Sequence, residues 1–198
     1  MTINWTFPAP RSGLAGLWDK FIGPGATNGE LWLQLVIPLV AVVAAPIYAS
    51  RVVDNWSIVQ YLVCIFFAFD IAGGVITNAT ATAKRWYHRE GQEFPQHFAF
   101  VLVHLVHLLL VSWAFLALDW NWVLIAGGYL LVAAAVILLV PLYLQRPIAL
   151  TSYIGALLLA LYVLQQPVGL EWFLPLFYLK LLVSHLPKEE PYRPTNGV

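Results

Sequence analysis

Residues 69–110 read FDIAGGVITNATATAKRWYHREGQEFPQHFAFVLVHLVHLLL. Two apolar runs flank a short, basic centre, and ionisable groups sit inside both. Asp70 is in the first run, His97, His104 and His107 are in the second, and His88 lies between them. An Asp at mid-helix in a bilayer costs roughly 2.5 to 3.5 kcal/mol on insertion scales, so such residues mark a functional site by default. The stretch predicts two membrane-spanning helices with a polar site between them.

The rest of the chain shares that solvent. Of 198 residues, 61% are hydrophobic and 10% charged, against about 25% charged in an average soluble domain, and mean hydropathy is +0.76. Six stretches, 31–50, 56–80, 97–118, 121–144, 147–165 and 169–186, approach the roughly 20 apolar residues that cross ~30 Å of hydrocarbon. The expected fold is all-α: a polytopic membrane bundle of about six transmembrane helices over 31–186, with a cytoplasmic segment 1–30 before it and a cytoplasmic tail 187–198 after it. In the first segment Leu14, Leu17, Trp18, Phe21 and Ile22 recur at helical spacing beside Arg11, Asp19 and Lys20, which predicts an amphipathic helix on the membrane surface. The start MTINWTFPAPRSG, broken by Pro8 and Pro10, lacks the layout of a signal peptide, so the first span is expected to direct insertion. Thr27 and Glu30 predict a capping box at its start. Pro38 and Pro46 should kink that span, and Pro141 and Pro175 the fourth and sixth. Short connections at 51–55, 119–121 and 145–147 predict antiparallel neighbours, and Gly73-Gly74 and Gly127-Gly128 allow close backbone approach.

Six crossings put both termini on one side. Arg11, Lys20, Lys84, Arg85, Arg89, Arg146, Lys188 and Arg193 fall on that side and only Arg51 on the other, which by the positive-inside rule predicts an inner (plasma) membrane protein with both termini cytoplasmic. Trp56, Trp120, Trp122 and Trp172 then line the outer interface, and Trp32 and Trp86 the inner one. Zero formal net charge excludes a strongly basic nucleic-acid-binding surface. Cys64, the single cysteine, excludes an intrachain disulfide or a thiolate metal cage. The expected partners are membrane lipids and a lipid-like small molecule.

Periodicity organises the polar residues. At ~100° per residue, Asp70, Gly74, Thr77, Ala81, Lys84 and His88 fall within about 40° of one line if the second helix continues past Thr80, and Asn78 lies some 80° to its flank. His97, His104 and His107 span about 80° on the third helix. A rise of ~1.5 Å per residue puts Asp70 and His107 both about 15 Å from the cytoplasmic ends, with His104 somewhat shallower. Lys180 on the last helix reaches a comparable depth and is a candidate counter-ion for Asp70. His185, some 140° from Lys180 on an ideal helix, should face elsewhere. Lys84, Arg85, His88 and Arg89 form a basic collar that suits an anionic headgroup.

Neutral imidazoles and a carboxylate are ligands for zinc or iron, so His88, His97, His104 and His107 are candidate ligands of a divalent metal. Asp70, Asn78 and Lys180 are candidate catalytic residues. The chain has no Gly-rich phosphate loop, HExxH, CxxC or GxSxG. Its intramembrane inventory of His and Asp resembles that of the membrane-embedded zinc hydrolases related to alkaline ceramidases and adiponectin receptors. The seven crossings and late His-x-x-x-His of that family are absent, so no family residue is carried over. The leading expectation is a metal-dependent membrane-embedded enzyme acting on a lipid or lipid-like substrate. The alternatives are a proton-coupled transporter using Asp70 and the His residues, and a structural or haem-binding subunit. Reporter fusions are expected to place residue 90 and the C-terminus in the cytoplasm and residue 120 outside; an extracytoplasmic C-terminus would exclude six crossings.

Overall fold

A computed structural model of the chain describes residues 2–193, so the end of the expected tail, 194–198, lies outside the described residues. Backbone in hydrocarbon must satisfy its own hydrogen bonds, which leaves helices as the form of each apolar run. The described residues form helices α1 (Gly13–Ile22), α2 (Asn28–Val52), α3 (Ile58–Ala79), α4 (Ala81–Tyr87), α5 (Phe94–Val103), α6 (Leu105–Phe115), α7 (Trp120–Leu139), α8 (Leu142–Tyr162) and α9 (Phe173–Tyr178). A π-helical segment, Leu179–His185, continues α9. Five runs are long and apolar enough to cross a membrane, with α5 and α6 counting as one; the sixth, Phe173–His185, is shorter. The run expected over 169–186 is shortened at its start by a turn. Gly169 has φ +89, and the Phe173 N–H bonds the Leu170 carbonyl at 2.9 Å.

Proline decides one boundary differently from its expected role. Pro141 was expected to kink a helix reaching 144, with a loop at 145–147. Instead α7 ends at Leu139, Val140 is extended (ψ 154), Pro141 opens α8, and Pro147 lies inside that helix. The proline ring disfavours helical geometry in the residue before it, so the chain turns there rather than bending through. Pro38 and Pro46 do lie inside α2.

The first and last described segments meet. Strand β1 (Thr2–Ile3) pairs antiparallel with β2 (Tyr192–Arg193), Thr2 opposite Arg193. The same end of the bundle carries α1 and α4. The Tyr87 hydroxyl donates to the Phe21 carbonyl at 2.7 Å, and Gly23 (φ +90) lies so close to the Thr82 carbonyl that a side chain there would collide with it. Arg11 and Asp19 are joined by a 2.7 Å salt bridge beneath α1.

The capping box at α2 is present, and it does more than start a helix. Glu30 also accepts from the Thr82 N–H (2.9 Å) and hydroxyl (2.7 Å), tying α2 to α4. The second helix does not run past Thr80. That residue is extended (ψ 146) and caps α4 through its hydroxyl, which accepts the Ala83 N–H at 3.2 Å. The stripe expected to continue through Ala81, Lys84 and His88 is therefore redirected. Away from this end the core is apolar, built on Phe67, Ile71, Leu108, Leu130, Phe173 and Phe177. Within it the Tyr178 hydroxyl donates to Ala126 O at 2.9 Å.

Glu30→Ala removes the bonds to both Thr27 and Thr82. It is expected to cost about 1 to 3 kcal/mol, read as a lower unfolding temperature in detergent, with Glu30→Gln intermediate.

Candidate functional site

Three elements converge on Asp70. It lies on α3, and its Oδ2 accepts from Lys180 Nζ at 2.6 Å and from His107 Nε2 at 2.9 Å. The Lys180 side chain is 4% exposed and that of Asp70 27%. Two opposed charges in an apolar interior are tolerated because each supplies the other's partner. Gly74, one turn from Asp70, leaves the space through which the Lys180 chain passes; a Cβ there would collide with it.

His104 interrupts the third span. Its N–H bonds Val101 O (3.1 Å), and the His107 N–H bonds His104 O (3.0 Å). Both are i to i+3 bonds, and in such a turn residues three apart eclipse. The His104 and His107 rings accordingly stack, with centroids 4.9 Å apart and planes at 18°. One ligand atom from each of Asp70, His104 and His107 can be chosen so that all lie within 4.8 Å of one another. His104 Nδ1 faces the Phe100 carbonyl at 2.7 Å. A ring N–H donated to a backbone carbonyl leaves Nε2 as a free lone pair, the usual support of a metal-binding imidazole. His107 has Nε2 on Asp70, and its Nδ1 is buried without a partner among the described residues.

The four expected histidine ligands divide into two groups. His88 and His97 do not join His104 and His107; they gather around His185. His97 Nδ1 lies 3.2 Å from His185 Nε2, and His185 Nδ1 lies 3.3 Å from Asn78 Oδ1. His88 Nε2 donates to the His185 carbonyl at 3.0 Å and stacks on His97 at 4.4 Å. His185 meets the same helix α3 as Lys180, at Asn78 rather than at Asp70. In the π-helical segment the Leu186 N–H bonds Leu181 O, an i to i+5 closure that brings residues five apart toward one face. No spacing signal in LKLLVSH announces that widening. Burial pushes the His88 imidazole down to about 3, helped by His97 and Lys84, so it is neutral near pH 7.

A cavity of about 200 Å³ lies beside Asp70, lined by Asp70, Asn78, His104, Lys180, Tyr87 and, from α1, Phe21, among others; the second histidine group reaches it through Asn78. Tyr87 and Phe21 were not anticipated as site residues. The basic collar is spent on the protein itself. Lys84 Nζ donates to Pro187 O, Arg85 to Thr6 O and the Thr82 hydroxyl, and the Arg89 guanidinium lies over the Trp86 ring. No family model matches the chain, and neither a curated protein nor a solved structure does.

Asp70→Leu strands the Lys180 ammonium in the core and is expected to destabilise by about 3 to 5 kcal/mol. Asp70→Leu with Lys180→Met should recover most of that loss in thermal unfolding. An additive double variant would mean that the ion pair is not energetically coupled.

Proposed function

We propose that the protein is a membrane-embedded, metal-dependent enzyme acting on a lipid or lipid-like substrate, with Asp70, His104 and His107 as ligands of a divalent ion, zinc or iron. The observation that carries this reading is the convergence of those three ligand atoms within 4.8 Å. Three protein ligands with an open position is the pattern of catalytic rather than structural zinc. Ligands at ~2.0 to 2.2 Å from a tetrahedral ion stand about 3.3 to 3.6 Å apart, so the ligand atoms close by up to about 1.5 Å on binding. The donor set accommodates this. Both bonds to Asp70 fall on Oδ2, leaving Oδ1 for an ion, and the unpartnered His107 Nδ1 is an orphan of the kind a bound group or water satisfies. A divalent ion held there would polarise a carbonyl or phosphoryl oxygen and lower the pKa of bound water to about 7.

The chain's own residues do the rest. Lys180 holds the Asp70 carboxylate through Oδ2, and the Phe100 carbonyl holds the His104 ring in its orientation. Phe21 brings the surface helix α1 to the rim of the cavity, where an amphiphile would enter from the membrane. The same reading puts the protein in an inner (plasma) membrane with both termini cytoplasmic; the pairing of β1 with β2 supports only that these two strands lie on one side.

A proton-coupled transporter is the second reading, favoured by one observation. Polar groups run from a cleft of about 830 Å³ that includes His88, through His97, His185 and Asn78, to the cavity at Asp70. Metal content separates the two. The double substitution His104→Ala with His107→Ala is expected to abolish stoichiometric metal in protein purified without chelator, whereas His185→Ala should leave most of it. Equal metal in wild type and double variant would remove the enzyme reading and leave these histidines to proton exchange.

A further inference from the structure

The second histidine group lies outside the Asp70, His104 and His107 cluster; its side chains are buried and joined in one order, and that order decides what Asn78 offers to the cavity. Two proton arrangements satisfy the contacts. In one, His97 Nδ1–H donates to His185 Nε2, so His185 carries its proton on Nδ1 and donates to Asn78 Oδ1. In the other, every bond is reversed, the Asn78 amide is flipped, and His97 keeps its proton on Nε2. That atom is buried without a partner among the described residues. An unpartnered buried N–H is rarer in proteins than an under-used acceptor, which selects the first arrangement and agrees with Oδ1 lying 3.3 Å from His185. The Asn78 amide nitrogen is then the end left over, on a residue that lines the cavity. Lys180 lines the same cavity; of its three donors, one is recorded on Asp70. The Tyr87 hydroxyl, by contrast, is committed to the Phe21 carbonyl.

We propose that Asn78 and Lys180 form an oxyanion-binding pair in this cavity, and that the group it takes is the phosphoryl or acyl oxygen at the head of an amphiphile. His185, braced by His97, is the positioning residue that turns the Asn78 amide nitrogen toward that oxygen. The inference deepens the metal-dependent reading and rests on it for the existence of a reaction, but binding of the oxyanion does not need the ion. A volume of about 200 Å³ is below the ~300 to 1,000 Å³ of sites that enclose a drug-sized ligand, so it takes the head and leaves the apolar chain outside, past Phe21, which is 51% exposed. A cationic head is disfavoured because the Lys180 ammonium lines the cavity.

The test is calorimetric titration of purified protein in nanodiscs, zinc-loaded and chelator-stripped, with octylphosphonate, octanoate and octyltrimethylammonium. Both anions are expected to bind better than the cation in either state; tighter phosphonate points to a phosphoryl substrate and tighter octanoate to an acyl one. Asn78→Asp replaces the donor by an acceptor of the same shape and should weaken anion binding roughly tenfold or more. His185→Phe should weaken it too, and His185→Gln, which keeps a donor for Oδ1, should restore most of it, a rescue that a purely packing role would not produce. Should Asn78→Asp fail to fold, nitrogen NMR of the wild-type Asn78 side-chain amide replaces it, with a shift expected on adding octylphosphonate. Unchanged affinity in Asn78→Asp, preference for the cation, or an unmoved amide signal would overturn the proposal. Absence of zinc alone would overturn the metal reading and leave the chelator-stripped result standing.

Discussion

The ion pair between Asp70 and Lys180 is the constraint on which the site depends. Each charge alone inside an apolar bundle would be expelled or neutralised, and the two are 110 residues apart in the chain. Their meeting requires the last segment to pack against α3 in one register. It also requires Gly74 to have no side chain, because the Lys180 stem occupies that space. Once the register is set, His107 reaches the same carboxylate oxygen, and the cavity beside Asp70 takes its shape.

Two departures from regular helix follow from the same convergence. At His104 the backbone tightens into i to i+3 bonds, and two imidazoles stack beside Asp70. After Tyr178 it widens into i to i+5 bonds, and Lys180 and His185 come to face α3 together. Irregular turns of both kinds are tolerated in a membrane helix only where the freed backbone groups are satisfied inside the protein. In both cases the irregular turn carries an ionisable side chain, His104 or Lys180, to the cavity. The rest of the bundle packs around an apolar core.

The end of the bundle where β1 pairs with β2 also carries Phe21 and Tyr87, which line the site's cavity. Glu30 holds α4, Tyr87 holds α1, and the buried Lys84 holds the chain at Pro187. Cations counted from the sequence as a headgroup-binding collar are used as fasteners, because α4 folds back under the N-terminal segment instead of extending α3.

Much of this was legible in the amino-acid order, and the division has a physical cause. Apolar length and the Thr27/Glu30 box are local properties, set by the thickness of hydrocarbon and by one turn of backbone, so the helical spans and the α2 cap could be read directly. The common depth of Asp70 and His107 follows from rise per residue and the length of the intervening loop, and the two are in contact. What depended on the angle between elements could not be read this way. The break at Thr80 moved Lys84 and His88 off the expected stripe, and Pro141 ended a helix instead of bending it. The grouping of His88 and His97 with His185, and not with His104, was set by a π-helical turn that the residues LKLLVSH do not encode on their own. That turn exists because Lys180 must meet Asp70 while His185 meets Asn78, two contacts with another helix, and a choice between 3.6 residues per turn and a wider winding that is made by distant partners belongs to the tertiary structure alone.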